Sequence, residues 1–147
     1  MSKNNPTSTE VFVTVGSTSF NDLIEAILQC DVLNNLSSAG YRSLRIQFGS
    51  GERVFAQRET ASKDIQISGF SYSSSLDEEM KNADLVISHA GSGSILEALR
   101  LGKKLIVVAN QNLMDNHQME LADRLSENHY LLKATPKLHS LGFDQKN

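Results

Sequence analysis

The 147-residue chain holds one cysteine, no tryptophan, no long apolar run and no excess of basic charge. Each shortage removes a class of protein. A single thiol, Cys30, forms neither an internal disulfide nor a Cys-rich zinc site, and it suits a reducing, cytosolic compartment. The longest apolar segments, Leu85-Val86-Ile87 and Leu105-Ile106-Val107-Val108-Ala109, fall well short of the roughly 18 residues that cross a bilayer. The opening Met1-Ser2-Lys3-Asn4-Asn5-Pro6 lacks the apolar core of a secretion signal. Fourteen Lys and Arg against seventeen Asp and Glu give a net charge of −3 with no basic block, so a nucleic acid would find little electrostatic footprint. His117 has no ligand spacing with His89, His129 or His139, and no metal or other cofactor is expected. What is present, 39% hydrophobic and 21% charged residues, excludes disordered and collagen-like chains. The length suits a single soluble domain with one core.

The apolar patterning alternates between two periods. Val11 to Val15 is a β-branched and aromatic run ending at Gly16. Asp84 to Ser88 and Lys104 to Ala109 are continuously apolar, as in parallel strands covered on both faces. Leu44 to Phe48 and Ile65 to Phe70 alternate, which predicts one less covered face. Tyr130-Leu131-Leu132 offers a short last strand. Between the strands, Phe20, Leu23, Ile24, Ile27 and Leu28 recur at helical spacing, as do Ile95, Leu96 and Leu99, and Leu121, Ala122 and Leu125. Gly102 marks a helix end. The stretch from Gly49 to Lys63 reads as a loop. Strands alternating with helices predict an α/β fold with an open, doubly wound, mostly parallel, Rossmann-like sheet. Residues 1–9 read as a disordered extension, 10–135 as the domain and 136–147 as a short polar tail.

In such a sheet ligands bind outside the carboxyl ends of the strands. Three polar strand-to-helix junctions lie there. At His89-Ala90-Gly91-Ser92-Gly93-Ser94 a buried strand gives way to a helix expected to begin near Ser94. Its glycines allow close approach, and its helix N-terminus offers free N–H groups and positive dipole to a phosphate or diphosphate. The same glycines also suit an ordinary tight turn. Ser94-x-x-Glu97 fits a capping box, yet Glu97 is equally placed to accept from ribose hydroxyls. Asp115-Asn116-His117-Gln118 opens a later helix, where it serves either as a solvated start or as a set of donors and acceptors for sugar hydroxyls. Gly16-Ser17-Thr18 supplies a glycine turn with two hydroxyls at the same rim.

Competing motifs fail on their residues. A nicotinamide site wants G-x-G-x-x-G after the first strand and a later acid; here Ser17, Thr18 and Ser19 follow one glycine, and the second strand ends Gln47-Phe48-Gly49. The nucleotide triphosphatase loop is absent, since Glu97 stands where its first glycine belongs before Gly102-Lys103. A hydrolase elbow wants glycine at both outer positions, which are Ala90 and Ser94, and nothing brings Asp115 and His129 to Ser92.

Three segments carry a resemblance: Val11 to Phe20, Asp84 to Ser94 with its continuation to Leu99, and Leu113-Met114-Asp115-Asn116-His117-Gln118. In that order they resemble the Alg13 family, soluble catalytic subunits of the eukaryotic UDP-N-acetylglucosamine transferase of the dolichol pathway. The likeness covers roughly residues 10–133. It implies the carboxyl-terminal, donor-binding half of a GT-B glycosyltransferase split into two chains. A membrane-anchored partner, Alg14, would bring the lipid acceptor at the cytosolic face of the endoplasmic reticulum. N-acetylglucosamine would pass from UDP-N-acetylglucosamine to N-acetylglucosaminyl-diphosphodolichol by direct displacement with inversion. By position, Gly91, Ser92 and Gly93 would face the diphosphate, Glu97 the ribose, and Asp115, His117 and Gln118 the sugar. Gly16, Ser17, Thr18, His89, Ser94 and Asn116 complete the candidate substrate-binding set, with no general base assigned. Two other functions fit the same fold: a non-catalytic interaction domain, and a regulator that holds a nucleotide without transferring anything.

Overall fold

Val11, Val13 and Val15 point to one face of the first strand, Phe12 and Thr14 to the other, and all five are fully buried. A strand apolar on both faces needs cover on both, and the order of elements supplies it. The computed structural model describes residues 9–17, 19–56 and 64–108 and the strand backbone of 132–134. Along the chain run β1 (Glu10–Thr14), α1 (Asn21–Ile27), α2 (Cys30–Ser38), β2 (Ser43–Gln47), α3 (Glu52–Ala56), β3 (Gln66–Phe70), α4 (Leu76–Asn82), β4 (Leu85–His89), α5 (Ser92–Arg100), β5 (Lys104–Val108) and β6 (Leu132–Ala134).

The strands pair in the order β3-β2-β1-β4-β5-β6, and every pairing is parallel. This is the expected doubly wound sheet. α1 and α2 cover one face, where Leu23, Ile24, Ile27, Val32, Leu33 and Leu36 pack on Val11, Val13, Leu44, Ile46 and Ile87. α4 and α5 cover the other, where Met80, Ile95 and Ala98 pack on Phe12, Val86, Leu105 and Val107. The chain builds outward from β1 to β3, then returns to place β4 on the far side of β1. Loops leaving β1 and β4 therefore turn to opposite faces, and a crevice opens between them.

Two local expectations need correction. The Gly49–Lys63 stretch is not all loop: Glu52–Ala56 forms α3, too short to show a helical period. It is anchored by Phe55, whose ring stacks on Phe48 at 4.9 Å; residues 57–63 lie outside the described set. α2 and α4 add helices beyond those expected. In α4 only Leu76 and Met80 are apolar among acidic residues, so the pattern is thin, but Asp77, Glu78 and Glu79 in the first turn suit the helix dipole. The last strand is described over Leu132–Ala134, pairing Ile106 with Leu132 and Val108 with Ala134; Tyr130 and Leu131 lie outside the described residues. α5 ends as expected, with Gly102 at φ +71 and the amides of Gly102 and Lys103 returning to Leu99 and Ala98. The Leu121–Leu125 helix, the tail beyond Pro136 and, apart from Thr9, the amino-terminal extension lie outside the described residues.

Phe12 links the central strand to the second layer, stacked 6.3 Å from Phe70. Phe12→Ala is expected to lower unfolding free energy by about 3–5 kcal/mol, from lost burial plus an unfilled cavity, measured by urea denaturation.

Candidate functional site

Among the described residues, the only buried polar side chains are Thr14, Gln47 and Ser88. They are register partners across three adjacent strands: Thr14 pairs with Gln47 on β2 and with Ser88 on β4. One polar row thus runs beneath the rim of the switch-point crevice. Buried polar groups must find partners, and these do. The Thr14 hydroxyl donates to Gln47 Oε1 and accepts from the Gly16 amide at 3.1 Å. The Ser88 hydroxyl donates to the His89 carbonyl at 2.7 Å.

Above the row sits the first candidate turn. Gly16 has φ +65, in the left-handed region, and a Cβ there would strike the His89 imidazole. A Cβ on Gly91 would strike the same ring. The His89 ring therefore touches both glycines, at the point where the β1 and β4 loops part. Both glycines are needed for close approach, Gly16 for its backbone conformation as well. Burial pushes the His89 pKa below its ordinary value, so at neutral pH the ring is uncharged, with one nitrogen a donor and the other an acceptor.

The third component is the start of α5. The helix begins at Ser92, with Gly91 in the N-cap position and no side chain capping it. Its first intrahelical bond runs from the Ile95 amide to the Gly91 carbonyl at 3.0 Å, so the amides of residues 92–94 precede the ladder. This overturns the capping box. Ser94 is already inside the helix, and Glu97 is paired one turn onward with Arg100, whose Nε lies 3.2 Å from its Oε1. That guanidinium holds the Glu97 carboxyl below the usual carboxylate range. Glu97 is partly exposed, so ligand can reach it while Arg100 orients it. Gly93 differs from Gly91: a Cβ there would meet nothing within 4 Å. Its lack of a side chain has no cause within the described chain and leaves the helix N-terminus open to an approaching group.

The structure thus brings Gly16, His89, Gly91, Ser92 and Gly93 to one crevice, with Ser17 on the same turn and Ser94 and Glu97 farther along α5. Thr18, Asp115, Asn116, His117 and Gln118 lie outside the described residues. Sequence reasoning missed Gln47 and Arg100. Arg100 was legible as the i+3 partner of Glu97; Gln47, in an alternating strand, carried no motif. A concavity of about 670 Å³ opens elsewhere, at the end of β2, lined by Asn21, Ser50, Gly51, Glu52, Arg53, Val54 and Ala56. It is open and lies between the starts of α1 and α3. The crevice at the switch point is the better site, because there the helix end, the imidazole and the glycines converge.

Comparison with known proteins places the fold in a family. Residues 10–141 match the glycosyltransferase family 28 C-terminal domain. The "UDP-N-acetylglucosamine transferase subunit ALG13" of Yarrowia lipolytica is 43% identical over 134 residues, covering 90% of this chain and 68% of that protein. The chain belongs to the Alg13 family. The human protein of the same name is 47% identical over 125 residues, which cover 85% of this chain. The present chain spans only 11% of that longer human family member. An NMR solution structure of ALG13 superposes with a TM-score of 0.70 at 32% identity, covering 87% of this chain and 79% of that one. The Alg13 family therefore accounts for the fold on which the crevice is built, within the family 28 domain.

Two predictions rest on the site alone. Gly93→Ala is expected to stabilise the fold by about 0.5–1 kcal/mol, because alanine is the better helix former and nothing obstructs it, whereas Gly16→Ala destabilises; thermal melts of the two variants should shift in opposite directions. The neutral His89 also sets a pH dependence. The unfolded chain takes up a proton near pH 6.5 while the folded ring resists it. Stability attributable to this group is complete above that pH and falls as pH drops from about 6.5 toward the lowered folded value. In His89→Gln, the melting temperature should fall less steeply over that range than in the wild type.

Proposed function

We propose that this chain is the donor-binding catalytic subunit of a two-chain glycosyltransferase that moves N-acetylglucosamine from UDP-N-acetylglucosamine to N-acetylglucosaminyl-diphosphodolichol. The observation that carries the reading is the uncapped N-terminus of α5 beside a neutral imidazole at the switch point, in a chain of the Alg13 family. Amides of residues 92–94 and the partial positive charge of the helix end meet the diphosphate. A neutral His89 donates one hydrogen bond without first losing a proton. Glu97, oriented by Arg100, accepts from the ribose, and Asp115, Asn116, His117 and Gln118 read the sugar, with Ser17 and Thr18 at the facing turn.

The acceptor hydroxyl attacks the anomeric carbon from the side opposite the diphosphate. The carbon–oxygen bond to UDP breaks as the new glycosidic bond forms, the configuration inverts, and the hydroxyl proton leaves to a base. Negative charge grows on the departing diphosphate in that step, so donors already aimed at it lower the barrier. A single open sheet gives a nucleotide sugar one wall and leaves the reaction open to water. A second subunit therefore completes the cleft. We assign that role to a membrane-anchored Alg14-like partner that presents the lipid acceptor at the cytosolic face of the endoplasmic reticulum. No helix among the described residues is long and apolar enough to cross a membrane, which fits anchoring through the partner.

Titrating the chain with UDP and with UDP-N-acetylglucosamine, followed by amide NMR shifts, should move residues 91–97 and Gly16. Shifts confined to other regions would refute the reading. With the partner co-expressed, Gly93→Ala should weaken donor use despite its gain in stability. Glu97→Ala should raise the donor KM roughly tenfold or more, as for loss of a charged hydrogen bond. Unchanged transfer by both variants would instead favour a non-catalytic interaction domain.

A further inference from the structure

Gln47 makes more side-chain hydrogen bonds than any other described residue for which such bonds are resolved, and nearly all go to the main chain around the crevice. Its Oε1 accepts from the Gly16 amide at 2.9 Å, from the Val15 amide at 3.2 Å and from the Thr14 hydroxyl. Its Nε2 donates to the Gly16 carbonyl at 3.0 Å and to the Ser71 carbonyl, beyond β3, at 2.7 Å. One fully buried carboxamide thus holds both the N–H and the C=O of Gly16, and ties that turn to the ends of β2 and β3. A carboxamide has two N–H donors, and both are used. The Gly16 turn is in turn one of the two walls against which the His89 ring lies.

We infer that Gln47 is a positioning residue for donor binding: it locks the left-handed Gly16 turn so that the turn and the His89 imidazole hold a fixed spacing across the crevice from α5. This rests on the functional reading above. Core packing does not explain the residue. The position is fully buried, and an apolar side chain of like volume would be buried there as well. That side chain would leave the Gly16 and Ser71 carbonyls without these donors. Gln47 touches no reacting atom in this arrangement, and it acts through Gly16 and His89.

The series Thr14→Val, Gln47→Glu and Gln47→Leu tests the inference in the full chain. Thr14→Val removes one bond to the carboxamide and the hydroxyl's own bond from the Gly16 amide, and leaves both Gln47 bonds to Gly16. Gln47→Glu keeps the accepting oxygens but loses the donations to Gly16 and Ser71. Gln47→Leu loses everything. In the ligand-free protein, the Gly16 amide resonance should move in all three variants, since Thr14 also accepts from it, whereas the His89 ring resonances should move in both Gln47 variants and little in Thr14→Val. With the partner present, the donor KM should rise about tenfold or more in the Gln47 variants that fold, with a smaller change in kcat, and stay within about threefold in Thr14→Val. A lower melting temperature without a change in donor KM in folded Gln47→Glu or Gln47→Leu would overturn the inference while leaving the functional reading intact. Failure of the wild-type chain to bind UDP-N-acetylglucosamine would overturn that reading, and the inference with it.

Discussion

The Gln47 carboxamide bridging the ends of three strands is the constraint on which the rim depends. A parallel sheet covered on both faces is apolar in its middle layers, and here Phe12, Val86 and Leu105 form such a layer. One step toward the carboxyl edge the chemistry changes to Gln47, Thr14 and Ser88. Water is excluded at that depth, so each group must bond to protein, and each bond fixes a backbone segment that would otherwise be a free loop. Polar burial spent on the rim makes the loops as definite as the strands that carry them.

On that platform the crevice is assembled from parts that are weak singly. A helix end attracts an anion by a fraction of a charge, and a neutral histidine contributes a single donor. A glycine contributes only access. Their convergence follows from the winding of the chain, because the loops after β1 and β4 are the two that diverge at the switch point. His89, in contact with both Gly16 and Gly91, couples the two loops sterically, so a change in one is felt at the other. The charge held on Glu97 by Arg100 adds an oriented acceptor one turn along the same helix.

Much of the fold was legible because it depends on short-range pattern. The continuous apolar runs of β4 and β5, the β-branched β1 and the helical spacing of α1 and α5 name their own elements, and alternation of the two periods names a parallel sheet. Two of the missed helices share a cause. α3 is shorter than the period needed to detect it, α4 has two apolar residues, and both are held by tertiary contacts of Phe55 and Met80. At the site, glycines and a histidine after a buried strand drew notice as a motif, and the structure brings them together. The capping box failed because it needs Ser94 as the N-cap, and the helix began two residues earlier at Ser92 with Gly91 as its N-cap. Gln47 passed unnoticed, since its partners lie 24 to 33 positions away in sequence.

By itself, the order of residues determined the α/β class, the parallel pairing, the location of the rim and the family to which the chain belongs. These follow from periodicity, from helix and strand alternation and from contiguous motif residues, all of which are local. Only the tertiary structure decided which polar side chain holds the Gly16 turn, and that one imidazole touches two glycines from different loops. Those outcomes depend on groups distant in sequence competing for a few buried hydrogen-bonding positions. Such competition is settled by three-dimensional distance and exclusion of water, which no linear pattern encodes.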